Sequence, residues 1–266
     1  MRVHPLEVGS VLLTKSFLHP APGLRGRLRL LLPDTFTAPV PILAWLIEHD
    51  GERILVDTGE THDVKNLPFA RYRVTETDEL PAALAAIGVT PGDLDTVIVT
   101  HMHSDHRDGA VHVPGPVLVN EDEWEAANSL AGRFASRLIR EPSYEGVGFQ
   151  PVALDDGPFG GFARSRRLTD DGRVVAVGTP GHTRGHVSVV AIDDDGRHLL
   201  LAGDVTDSLE QLLSRRPDAV ASDPSLQVET IDRILAHARE HPTVFLPAHD
   251  PDSVRRLAES RTLSPL

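Results

Sequence analysis

The chain has 266 residues, 40 % of them hydrophobic and 24 % charged, which is enough apolar material for a sizeable core in a globular protein. Its formal charge of −13 repels polyanions, so neither nucleic acid nor an acidic membrane surface is an expected partner. The absence of cysteine excludes disulfides, thiolate metal sites and a cysteine nucleophile.

At the N-terminus the one apolar patch, Val11 to Leu13, is too short for a signal-peptide core. No later run approaches a membrane span, so a cytoplasmic location is expected. Short runs rich in β-branched residues then recur: "LAWLIEH" (43–49), "RILVD" (53–57), "TVIVT" (96–100), "VLV" (117–119), "RVVAV" (173–177), "VSVVAI" (187–192), "HLLLA" (198–202) and "TVFL" (243–246). Most are bounded by Gly, Asp or Pro and predict buried strands. "EHDGER" and "DDDGRH" predict hairpin turns.

Helices are expected between these strands. "DELPAALAAIGVT" ends at Gly88, a C-terminal stop. The helix from Asn120 has Glu123 three residues on, the spacing of a capping box. Asp223 and Pro224 start a third helix, with Leu226, Ile231, Ile234, Leu235 and Ala238 as its apolar stripe. Early hairpins followed by alternating strands and helices predict an α/β fold in which two mixed sheets are flanked by helices, an αββα sandwich. Residues 1–266 are expected to form a single domain with an insertion around 125–170, where the strand rhythm breaks. Arg164, Arg166 and Arg167 suggest a solvated basic loop.

The chemistry is concentrated at strand ends. "HMHSDH" follows "TVIVT" and supplies His101, His103, Asp105 and His106. Ligands in α/β sheets gather at the carboxyl ends of strands. His182 in "GTPGHTRGH", Asp204 in "LAGDV" and His249 in "PAHD" each follow a strand in the same way. Five imidazoles and two carboxylates suffice for a dinuclear centre. A set of nitrogen and oxygen ligands suits two Zn²⁺, and manganese, cobalt or iron fit it too. Two such cations generate hydroxide at neutral pH and polarise a carbonyl, so no protein nucleophile is needed.

The combination "ILVDTG", "HMHSDH", "GTPGHTRGH", "GDV" and "PAHD", across roughly residues 40 to 250, resembles the metallo-β-lactamase superfamily. That resemblance implies one metal on His101, His103 and His182, a second on Asp105, His106 and His249, and Asp204 bridging them. It also implies catalysis by Asp105 and Asp204 through a metal-bridging hydroxide. Asp57 is open to two readings, a turn residue before Gly59 or the carboxylate that orients a ligand histidine. His186 is expected to pack behind the ligand loop.

Within the superfamily the chain is most similar to the N-acyl homoserine lactonase-like group. This implies a small-molecule substrate with an apolar acyl portion and hydrolysis of a lactone or related ester. Thioesterase, β-lactam or phosphotriester hydrolysis and an iron-dependent persulfide dioxygenase are the alternatives. Only seventeen residues follow His249, so the helical domain of the glutathione thioesterases is not expected. The N-terminal segment and the insertion would line an acyl groove, with Leu18, Phe36, Phe69, Phe134, Phe149 and Phe159 as candidates. One position departs from the lactonases: Asp207 stands where they carry a tyrosine three residues after the bridging aspartate. It is either a proton shuttle for the leaving alcohol or the N-cap of the "SLEQLL" helix. A homodimer is left open.

Overall fold

The computed structural model describes residues 1–18, 29, 30, 32, 34–139, 144 and 146–264. Twelve strands among them form two sheets. In chain order they are β1 (Arg2–Leu13), β2 (Val40–His49), β3 (Glu52–Val56), β4 (Ala70–Arg73), β5 (Thr96–Ile98), β6 (Val117–Asn120), β7 (Phe149–Val152), β8 (Ser165–Arg167), β9 (Val174–Gly178), β10 (Val187–Ile192), β11 (His198–Gly203) and β12 (Thr243–Pro247). The first sheet runs β4-β1-β2-β3-β5-β6-β7 and the second β12-β11-β10-β9-β8. Both are mixed. β3, β5, β6 and β7 are parallel, as are β11 and β12, and the remaining pairings are antiparallel.

Alternation along β2 builds the layers. Leu43, Trp45 and Ile47 face the second sheet and join Ile54, Val189 and Leu246 in a cluster between the sheets. Ile42, Ala44 and Leu46 point the other way, under Leu80 and Leu84 of helix α2 (Leu80–Ala85). Beyond the second sheet, Val190, Leu200 and Phe245 meet Ile231, Ile234 and Leu235 of helix α7 (Pro224–Glu240). The remaining helices are α1 (Lys15–Leu18), α3 (Ser104–Arg107), α4 (Glu121–Asn128), α5 (Leu130–Ile139), α6 (Leu209–Leu213) and α8 (Ser253–Ala258). The expected sandwich of two mixed sheets with helices is what the structure contains.

The β2–β3 hairpin turns at Asp50 and Gly51, both with positive φ, as a tight primed turn requires. Asp223 caps α7 by accepting from the backbone of Ser225 and Leu226, each at 3.0 Å, and Pro224 occupies the first turn.

Two sequence expectations are corrected. Asn120 makes no side-chain cap on α4, and its amide and Glu123 reach other loops. Arg166 and Arg167 lie in strand β8, and Arg164 pairs with Asp122 at 2.6 Å; the basic cluster is therefore a paired edge rather than a solvated loop. Residues 125–170, expected as an insertion, carry β7 and β8, one edge strand of each sheet. Residues 140–143 and 145 of that stretch lie outside the described residues. No helix among the described residues is long and apolar enough to cross a membrane.

Candidate metal centre

The carboxyl ends of β3, β5, β9, β11 and β12 converge on one rim of the sandwich, because β11 and β12 are parallel and β9 runs with them. Two backbone bonds join the sheets there, Val187 N–H to Thr100 carbonyl at 2.9 Å and Leu43 N–H to Ala248 carbonyl at 3.1 Å. After β5 the chain bends through 100–103 and enters α3, whose four residues are all buried. This turn puts His101 and His103 in one group and Asp105 and His106 in another.

The structure brings all seven candidate ligands together. His101, His103, His182 and Asp204 have ligand atoms within 4.8 Å of one another, and so do Asp105, His106 and His249. In the first group, His103 Nδ1 lies 2.9 Å from His101 Nε2 and 3.0 Å from His182 Nε2. Asp204 faces both groups. Its Oδ2 is 3.9 Å from His101 Nε2 and 3.7 Å from His182 Nε2, while its Oδ1 is 3.2 Å from His106 Nε2 and 3.4 Å from His249 Nε2. Asp105 completes the second group, its Oδ2 3.5 Å from His249 Nε2.

Outer hydrogen bonds aim the imidazole lone pairs inward. His182 Nδ1 donates to Asp218 at 2.6 Å, and His249 Nδ1 donates to the Pro41 carbonyl at 2.9 Å. Asp57 accepts from His106 Nδ1 at 2.8 Å and from the Thr100 hydroxyl at 3.0 Å. The Thr100 oxygen then has a lone pair left for His101 Nδ1, 3.1 Å away. Four Nε2 atoms and His103 Nδ1 therefore point at the centre, the pattern by which proteins orient metal-binding histidines. Asp57 also takes a left-handed φ of 63°, so it is a turn residue as well as the partner of His106.

These groups fit a pair of cations. His106 Nε2 and Asp204 Oδ1 are buried, face each other at 3.2 Å and have no hydrogen-bond partner. Seven titratable groups, six of them buried and His103 partly so, are costly to assemble without thiolate unless cations or protons balance them. Burial and the adjacent His106, His103 and His182 hold His101 well below the usual imidazole range. Burial acts in the same direction on His106, but Asp204 and Asp57 outweigh it and hold that ring well above its ordinary value. Burial would raise Asp204, yet His106 and His249 keep its carboxyl well below its ordinary value.

Gly203 makes the approach of Asp204 feasible. It has φ of 53°, and a Cβ there would lie 2.8 Å from both His186 Nε2 and Thr100 Oγ1. His186 packs behind the ligand loop as expected. Its Nε2 accepts the Asp204 N–H at 3.1 Å, and its Nδ1 lies 2.9 Å from the Thr179 hydroxyl.

A cavity of about 220 Å³ opens beside the centre. Its floor includes His103, Asp105, Asp204 and Asp207, and its apolar wall includes Val11, Leu13, Phe17, Leu67, Phe69 and Val220. The N-terminal segment lines it as expected, whereas the expected contribution from the 125–170 stretch comes instead from the residues around β4. Of the proposed apolar residues only Phe69 reaches it, stacked on Phe17 with ring centres 5.6 Å apart. Leu18 packs on the first core, Phe36 lies under Arg71, Phe149 meets Trp124, and Phe159 meets His198. Phe134 is 70 % exposed on α5.

Asp207 also lines the cavity. It does not cap α6, because Ser208 does so by accepting from Gln211 N–H. Asp207 Oδ2 is buried without a hydrogen-bond partner. Burial, then Asp204 and Asp218, push its carboxyl up to about 7. Sequence reasoning missed Asp218 and the true contacts of Glu123. "RRPDAVAS" contains no periodicity that marks Asp218 as buried.

A model of the metallo-beta-lactamase superfamily matches residues 37–249. An N-acyl homoserine lactonase of Bacillus sp is 27 % identical over 228 residues, covering 81 % of this chain and 84 % of that protein. The N-acyl homoserine lactonase AttM of Rhizobium radiobacter is 23 % identical over 228 residues, with 80 % and 83 % covered. Among solved structures, an N-acyl homoserine lactone hydrolase with N-hexanoyl-L-homoserine at its catalytic metal centre superposes with a TM-score of 0.74 at 21 % identity, covering 99 % of this chain and 97 % of that one. AidC, a dizinc quorum-quenching lactonase, superposes with a TM-score of 0.66 at 15 % identity, covering 94 % and 87 %. At these identities the superpositions speak for the fold.

Proposed function

Because the chain belongs to the metallo-β-lactamase superfamily, we propose that it is a two-metal hydrolase that opens a lactone or closely related ester with an apolar acyl portion. It is a metallo-hydrolase of the lactonase-like group. The observation that carries this reading is the position of Asp204, one oxygen toward each group of ligand atoms. In this reading His101, His103 and His182 would hold one Zn²⁺, Asp105, His106 and His249 would hold the other, and Asp204 would serve both. Manganese, cobalt or iron would suit the same donors. Bound there, the two cations supply a water of lowered pKa and a Lewis acid for the carbonyl.

The chain's own residues do the rest. Asp57, Thr100, Asp218 and the Pro41 carbonyl fix which imidazole nitrogen is free. The wall of Val11, Phe17 and Phe69 excludes water and receives the acyl portion. Burial first pushes the Asp207 carboxyl up to about 7, and its Oδ2 has no hydrogen-bond partner, so the group can carry a proton near neutral pH. It delivers that proton to the leaving alcohol, the task for which a carboxylate alone would be repulsive.

The test is a panel of lactones, aryl esters, thioesters, β-lactams and phosphotriesters given to the purified protein, with its metal content measured alongside. Lactones are expected to be fastest, with about two metal ions per chain. One iron per chain with oxygen consumption, or a thioester preferred to every lactone, would overturn the reading.

A further inference from the structure

Glu123 is 3 % exposed in the first turn of α4, yet it caps nothing there. Its carboxylate joins two loops that come from different sheets. Oε1 accepts the Met102 N–H at 3.0 Å, and Oε2 accepts the Gly185 N–H at 2.9 Å. Met102 separates His101 from His103, and Gly185 lies between His182 and His186. Both residues are also held through their carbonyls. Arg107 Nε donates to the Met102 carbonyl at 2.7 Å, and Asn120 Nδ2 donates to the Gly185 carbonyl at 2.8 Å. The contact with the second loop is close enough that a Cβ on Gly185 would lie 2.1 Å from the Glu123 nitrogen. A carboxylate accepting two backbone N–H groups in a buried place makes charge-assisted bonds, stronger than neutral ones.

We propose that Glu123 is the positioning residue of the first ligand group: one carboxylate fastens the loop bearing His101 and His103 to the loop bearing His182, and so sets the spacing of three imidazoles. The inference rests on the reading of the two groups as cation sites. It goes beyond that reading by assigning the geometry of one site to a residue that touches neither ion. The second group is built differently. His249 comes from the loop after β12, and its ring is held by the Pro41 carbonyl rather than by Glu123. Loss of Glu123 should therefore act unequally on the two sites.

The experiment is graded chelation of the zinc-loaded enzyme, with bound metal counted per chain for wild type and for Glu123→Gln. The glutamine keeps the volume but sets an NH₂ group against one of the two N–H donors. One equivalent should leave Glu123→Gln at a chelator concentration roughly 10–100-fold below that for wild type, the range seen when groups behind metal ligands are lost. The other equivalent should leave at nearly the wild-type concentration. Release curves that coincide with wild type, or that shift both equivalents together while the metal-free protein melts lower, would overturn the proposal and leave Glu123 a structural residue. Should Glu123→Gln not fold, Asn120→Ala breaks only the outer contact to Gly185. It is expected to weaken the same equivalent by a smaller factor, and unchanged release in that variant would equally overturn the idea. A wild-type chain that retains no metal would overturn the two-cation reading itself, whereas two equivalents in both proteins with identical release would remove only the role of Glu123.

Discussion

At the scale of single residues, Asp207 stands on the cavity floor beside the two ligand groups. Its Oδ2 has no partner, and burial next to Asp204 and Asp218 favours the protonated form. If that proton goes to the leaving group, the need for it grows as the leaving alcohol becomes a poorer one. Asp207→Asn keeps the shape and a donor but cannot release a proton in the same way. Its kcat toward an alkyl lactone should fall about 10²–10⁴-fold, while hydrolysis of a p-nitrophenyl ester falls far less and metal content stays unchanged. Equal losses on both substrates would show that Asp207 serves the site in some other way. The seven candidate ligands were legible as a set because each follows a strand with a strong apolar signal. Asp218 and Glu123 were not, because what distinguishes them is burial against backbone and imidazole N–H groups supplied by distant segments. Glu123 had the spacing of a capping residue. The N–H groups of Met102 and Gly185 meet Glu123 in the interior, and the carboxylate goes there.

At the scale of elements, the seam between β11 and α7 holds a second histidine cluster, remote from the ligands. His198 Nδ1 lies 2.9 Å from His237 Nε2, His241 stacks on His198 with ring centres 4.5 Å apart, and Phe159 packs alongside. Burial, with His237 and His241 adding repulsion and Asp193 opposing, lowers His198 to about 4. A depressed histidine pKa means that the unfolded chain binds the proton first. The stability it represents is present above about 6.5 and is lost as pH falls toward 4. The melting temperature should therefore fall across that interval more steeply in wild type than in His198→Gln. Parallel curves would show that the cluster does not titrate with folding. Strand β11 of this seam was readable because its leucine run, buried along its whole length, leaves a continuous apolar signature. β4 and β7 close the two edges of the first sheet and β8 one edge of the second, and "ARYR", "FQPV" and "SRR" carry no such signature. β1, with Arg2, His4, Pro5 and Glu7 along it, is fixed by its pairing with β2 and β4 rather than by its own pattern.

At the scale of the whole molecule, each sheet supplies part of the centre. His101, His103, Asp105 and His106 follow a strand of the first sheet, and His182, Asp204 and His249 follow strands of the second. Packing of Trp45, Ile54, Val189 and Leu246 between the sheets therefore sets the distance between the two halves of the site, which joins the integrity of the core to the chemistry on its rim. The central claim is that Asp204 lies between two cations and holds both. Counting metal ions per chain by mass spectrometry of the intact folded protein, for wild type and for Asp204→Ala, addresses it most directly. The account predicts two ions on the wild type and no more than one on the variant. A variant that carries as much metal as the wild type would contradict it.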